Sequence, residues 1–133
     1  MTYEAIVQDL KQKKFKPLYY LAGDEPFYID KIVEHIEHHV LDEAERSFNQ
    51  SILYGKDVDM ATVLAEAKRY PMMAPYQVVI VKEAQHVKLN DLLLAYAKKP
   101  QLTTVLVFAC KGIKIDKRTK AGKYVAEKHV YLE

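Results

Sequence analysis

Short apolar runs alternate along the chain with segments in which apolar residues recur every three or four positions. The runs cover residues 17–22, 49–54, 78–82, 103–110 and 129–132, each of strand length. The alternation predicts an α/β fold of three layers, α/β/α, with a mostly parallel five-stranded sheet. The stretches QVVIV and TVLVFAC are almost continuously apolar, as expected of strands covered on both faces, so helices must lie on both sides of the sheet.

The helical segments follow from spacing and from cap residues. Residues 1–16, MTYEAIVQDLKQKKFK, read as a short amphipathic helix with Ile6, Val7 and Leu10 on one side. Over residues 27–46, Ile29, Ile32, Val33, Ile36 and Val40 keep to one face, with Pro26 in the first turn and Asp24 as the cap. Asp57 is the expected cap of a helix carrying Val63, Leu64 and Ala67, and Asn90 of one carrying Leu93, Leu94 and Tyr96 that stops before Pro100. Asp116 is the expected cap of the last helix, through Ala121, Tyr124 and Val125. No repeat, low-complexity tract or linker interrupts this order, and the chain stops directly after its last strand-like run. The expectation is one domain, residues 1–133, of a longer protein.

Composition narrows the function classes. With 133 residues, half of them hydrophobic and 29% charged, the chain has globular usage and excludes a disordered one. Lys and Arg number 20 against 18 Asp and Glu, so nucleic-acid contact requires a local patch rather than a basic coat. The single cysteine, Cys110, allows neither an internal disulfide nor a cysteine metal cluster, which favours a reducing compartment. Apolar runs reach about six residues where a membrane helix needs about 18. Without a signal sequence either, the expectation is a cytoplasmic protein that does not span a membrane.

In a parallel sheet the loop after the first strand is the usual phosphate cradle. Here it reads Gly23-Asp24-Glu25-Pro26-Phe27-Tyr28. A P-loop needs G-x-x-x-x-G-K-[ST], so that backbone N–H groups and a lysine neutralise the phosphates. Only Gly23 remains, Asp24 and Glu25 repel a triphosphate, and Pro26 removes a donor. The loop is a degenerate nucleotide loop. Asp24 and Glu25 also fall short of a magnesium-holding phosphoacceptor pocket, because Val81-Lys82-Glu83-Ala84 offers no aspartate at the end of the third strand.

His35 and His39 share a helix face, but the run EHIEHH lacks the H-E-x-x-H pattern and fits a solvated face better than a zinc site. Ser47 and Ser51 sit in no G-x-S-x-G elbow, and Cys110 ends an apolar run without a neighbouring base. No catalytic residue, metal site or cofactor is predicted.

Two surface features stand out. Lys111, Lys114, Lys117, Arg118, Lys120, Lys123 and Lys128 face only Asp116 and Glu127 in the same stretch. Of these, Lys117, Arg118, Lys120 and Lys123 are the candidates for contact with DNA or a partner subunit. The other feature is Arg69-Tyr70-Pro71-Met72-Met73-Ala74-Pro75-Tyr76, where two prolines restrict the backbone while methionine and tyrosine supply apolar bulk. A core-packed turn and a protein-docking element are both open here, and solvent exposure separates them.

Three pieces, PLYYLAGDEPFYIDKIVEHI, YPMMAPYQVVIVKEA and TTVLVFACKGIKIDKRTKAGKYV, taken in this order and spacing, resemble the N-terminal domain of the delta subunits of bacterial DNA polymerase III. The resemblance covers essentially the whole chain. It implies a P-loop NTPase-like core of the AAA+ class that does not itself bind ATP, followed after residue 133 by helical lid and collar domains. It also implies a non-catalytic clamp-loader component of DNA replication that binds and helps open the sliding clamp. The other implied partners are the gamma/tau and delta prime subunits and, through the complex, primer-template DNA. The family's Leu-Pro-Phe-Phe-Ser turn, which inserts into the clamp, matches Tyr70, Pro71, Met72, Met73 and Ala74, so two methionines stand where the aromatics are expected. A degenerate P-loop-like DNA-binding module using residues 117–128 is the alternative.

Overall fold

The computed structural model describes residues 1–132. The strands are β1 (Leu18–Gly23), β2 (Gln50–Tyr54), β3 (Gln77–Lys82), β4 (Thr104–Lys111) and β5 (Val130–Leu132). They form one sheet in the order β2-β3-β4-β1-β5, and every neighbouring pair is parallel. The helices are α1 (Tyr3–Lys11), α2 (Pro26–His39), α3 (Glu43–Asn49), α4 (Met60–Ala67), α5 (Asp91–Lys98) and α6 (Lys120–Lys128), with a 3-10 turn at Ala84–His86.

The period of two along each strand divides the core between the two faces of the sheet. Leu18, Tyr20, Val79, Val81, Leu106, Phe108 and Cys110 pack on one face against Val63 and Leu64 of α4, Leu93 and Tyr96 of α5, and Val125 of α6. Tyr19, Leu21, Val78, Ile80, Val105 and Val107 pack on the other against Ile6 and Leu10 of α1 and Ile29, Ile32 and Ile36 of α2. This is the three-layer α/β/α arrangement predicted from the apolar runs. Among the described residues no helix is long and apolar enough to cross a membrane.

Several local expectations are corrected. The single helix over 27–46 is two helices, because the stretch Asp42-Glu43-Ala44-Glu45 starts a new one. Asp42 Oδ1 accepts from the Glu45 N–H at 2.8 Å and Glu45 Oε1 from the Asp42 N–H at 3.0 Å, a reciprocal capping box. Pro26 does open α2, but the cap position is Glu25 and no side chain caps it, so Asp24 has no such role. Asp59 rather than Asp57 caps α4, accepting from the Thr62 N–H at 2.8 Å. The cap of α6 is Thr119, whose hydroxyl accepts from the Gly122 N–H at 3.0 Å, while Asp116 is turned to Arg118. Asn90 caps α5 as expected. Asn49 closes α3 instead of opening β2.

Candidate functional site

All strands being parallel, the sheet has a carboxyl end, where ligands of α/β proteins usually settle, and an amino end. Each end holds one predicted site.

At the carboxyl end, Gly23 finishes β1 with φ 116°, a conformation that favours glycine. Its N–H donates to the Ile113 carbonyl at 3.2 Å, and its own carbonyl accepts from the Gly112 N–H at 2.8 Å. The backbone groups of the only glycine left in the loop are therefore engaged by the chain's own 112–113 turn. A hollow of about 310 Å³ lies beside it, lined by Gly23, Asp24, Glu25, Tyr28 and Lys114 among others. Asp24 and Glu25 are exposed there, and Pro26 supplies no N–H. The donor arrangement that holds a triphosphate is missing, while two carboxylates oppose one. Among the described residues no three of His, Cys, Asp and Glu converge as a metal site would require.

The basic residues near this end are partly committed. Lys111 Nζ pairs with Asp30 Oδ1 at 2.7 Å, Arg118 makes two bonds to the Asp116 carboxylate, and Lys117 lies over the Tyr131 ring at 5.5 Å from its centroid. The Arg118 guanidinium holds the Asp116 carboxyl below its usual range. Lys120 and Lys123 are exposed on α6. Of the candidate set only these two lysines present an uncommitted face, and two phosphate contacts carry little affinity at physiological salt.

At the amino end, the last turn of α4 and the segment that leads from it to β3 are held by the side chains of Thr104, Gln101, Gln77 and Asn49. Thr104 Oγ1 donates to the Ala67 carbonyl at 2.7 Å, Gln101 Nε2 donates to the Arg69 carbonyl at 2.6 Å, and Gln77 Nε2 donates to the Glu66 carbonyl. The buried Asn49 reaches Met72 from α3, with Oδ1 accepting from the Met72 N–H at 2.6 Å and Nδ2 donating to the Met72 carbonyl at 2.9 Å. Beyond it, Ala74 and Tyr76 pack on the α1–α2 core, and Tyr76 meets Phe15 edge-on at 5.4 Å.

The side chains between these anchors face outward. Met73 is 97% exposed and Met72 58%, and Tyr70 is exposed as well, with Pro71 half-buried. A core-packed turn is thereby excluded for Tyr70, Met72 and Met73, although Ala74 keeps that character. Met73 adopts φ 56°, in the left-handed region that L residues rarely enter. A rigid backbone presenting two flexible apolar side chains is suited to filling an apolar cleft on another macromolecule, and it carries no group able to do chemistry.

Two residues of this end were missed in the sequence. Phe48 is 71% exposed at the end of α3, next to the residue that grips Met72, and Leu102 is exposed beside Gln101. Phe48 falls between the helix expected over 27–46 and the apolar run over 49–54, where neither period assigns it a face. Elsewhere, the His35 and His39 rings stand 4.7 Å apart, and burial, then the neighbouring His39, lowers the pKa of His35. Burial pushes the Cys110 thiol up to about 11, so it is no nucleophile at neutral pH.

A family model described as DNA polymerase III, delta subunit, matches residues 19–133. DNA polymerase III subunit delta of Bacillus subtilis (strain 168) is 27% identical over a 135-residue alignment that covers 94% of this chain and 39% of the relative. The solved structure of the Bacillus subtilis DNA clamp loader delta protein superposes with a TM-score of 0.86 at 25% identity, over 98% of this chain and 42% of that one. A DNA polymerase III gamma subunit-related protein from Thermotoga maritima shares the fold, with a TM-score of 0.62 at 11% identity over 98% of this chain and 44% of that one. The chain thus spans about two fifths of the length of the relatives it matches.

Proposed function

This chain belongs to the DNA polymerase III delta-subunit family, and on that premise we propose that it is a non-catalytic clamp-loader domain that binds the sliding clamp through Tyr70, Pro71, Met72, Met73 and Ala74. The observation that carries the reading is the exposure of Met72 and Met73 on a backbone tied down on both sides of them. Exposed, adaptable apolar side chains on a fixed loop lose little conformational freedom in the backbone when a cleft closes on them. Asp24 and Glu25 beside a self-bonded Gly23 leave nucleotide control to partner subunits of the gamma/tau and delta prime type. The helical lid and collar implied after residue 133 would join the domain to them.

Opening follows from unequal affinity. A clamp whose ring is shut and one whose subunit interface is sprung are two states in equilibrium, and a ligand shifts that equilibrium only by binding one of them better. Met72 and Met73 seated near a subunit interface would favour the sprung state, so this chain performs no bond chemistry and needs none.

The test is calorimetric titration of the chain into the sliding clamp of its own organism, beside a Met72→Ala, Met73→Ala variant. Saturable binding by the parent that weakens by at least about 100-fold in a variant with unchanged melting supports the site. Equal binding by both overturns the residues, and absence of binding by the parent overturns the role assigned to this domain.

A further inference from the structure

Asn49 has no part in the docking surface, because it is only 3% exposed, yet its carboxamide is fully used. Oδ1 accepts from the Met72 N–H at 2.6 Å, and the two hydrogens of Nδ2 go to the Met72 carbonyl at 2.9 Å and to the Glu45 carbonyl of α3 at 3.0 Å. One side chain thus satisfies both backbone groups of a residue 23 positions away, as a neighbouring strand would. Aspartate lacks the two donors, serine has one, and glutamine is a methylene too long for the same fork.

We infer that Asn49 is the positioning residue of the docking loop, fixing the Met72 backbone so that Met72 and Met73 are presented before any partner arrives. The left-handed φ of 56° at Met73 shows why a clasp is required. Such a conformation persists only where its surroundings over-determine it. Here Asn49 holds the residue before Met73, and the packing of Ala74 and Tyr76 on the core holds the residues after it. Without the clasp the loop samples other conformations, and binding must then order it again. The inference rests on the clamp-docking reading above.

The experiment labels the methionine methyl groups and titrates the chain with the sliding clamp as parent, Asn49→Ala, Asn49→Asp and Met72→Ala, Met73→Ala. Met60, buried at 2% exposure in the opposite core, is the internal control. In Asn49→Ala the Met72 and Met73 methyl signals shift while that of Met60 stays, and affinity falls about 10-fold through lost pre-organisation. Asn49→Asp keeps the shape and one acceptor but sets a carboxylate oxygen against the Met72 carbonyl, and it moves in the same direction. Parent affinity in both Asn49 variants, with binding lost in the double methionine variant, overturns the inference and leaves the docking reading standing. Equal affinity in all four overturns both. Should Asn49→Ala displace Met60, Asn49→Asp decides, and displacement of Met60 in both variants assigns Asn49 to general folding and overturns the positioning role.

Discussion

The two ends of one parallel sheet have been treated in opposite ways. At the carboxyl end, Gly23 finishes β1 with its N–H and carbonyl both bonded to the 112–113 turn, and the loop that follows is acidic. At the amino end, Gln77 and Thr104 bond carbonyls at the end of α4 while Gln101 and Asn49 bond those of the loop that follows, and Met72 and Met73 are turned to solvent. Backbone groups at the first end are consumed in closing a site. At the second they hold a loop that exposes Met72 and Met73. Both ends belong to the same sheet, and the difference shows why site residues rather than fold must carry a functional reading.

The largest expected effect breaks the amino end alone. Met72→Ala with Met73→Ala lowers clamp affinity by about 100-fold or more, as removal of central apolar anchors does. Melting stays within about 1 °C, since neither side chain is in the core. Calorimetry and thermal scans on the same samples check both statements.

The next effect belongs to the carboxyl end and goes to stability. Gly55 follows β2, and a Cβ there would stand 2.0 Å from the Glu83 carbonyl oxygen, a clash with backbone that cannot swing away. Gly55→Ala is expected to destabilise the domain by about 2–3 kcal/mol, the range of overpacking and strain. Urea unfolding measures it, and the fraction still folded keeps its affinity for the clamp.

A smaller change sharpens the boundary of the docking surface. Phe48→Ala is expected to weaken binding by about 3- to 10-fold, a rim-to-anchor contribution near 1 kcal/mol, without loss of stability. An unchanged affinity would confine the surface to residues 70–74.

The smallest effect concerns pH. Burial and His39 lower the pKa of His35 in the folded chain. The folded state therefore resists protonation that the unfolded state accepts. The associated stability is fully present above the unfolded value near 6.5 and declines as pH falls below it. Denaturation midpoints between pH 7 and 5 should drop in the parent and drop less in His35→Gln.

Much of the fold was legible because it rests on local pattern. The apolar runs of β3 and β4 are buried on both faces, and their period of two sorts Val79 and Val81 from Val78 and Ile80 into separate cores. Cap assignment failed where two polar residues compete within two or three positions, as with Asp57 and Asp59 or Asp116 and Thr119. The break between α2 and α3 was masked because the apolar period carries on to Val40 while Asp42 restarts the helix. At the site, the outward residues Met72 and Met73 could be singled out from composition. The clasp by Asn49 could not, since a hydrogen bond spanning 23 positions leaves no trace in local spacing.

The central claim is that the amino end, and not the carboxyl end, meets the clamp. Amide hydrogen exchange of the chain alone and with saturating clamp tests it most directly, because one experiment reads both ends. The account predicts new protection over residues 70–76 and at Phe48 and Asn49, with residues 23–28 and 112–119 unchanged. Protection confined to residues 23–28 and 112–119, with the methionine loop exchanging as before, would contradict it.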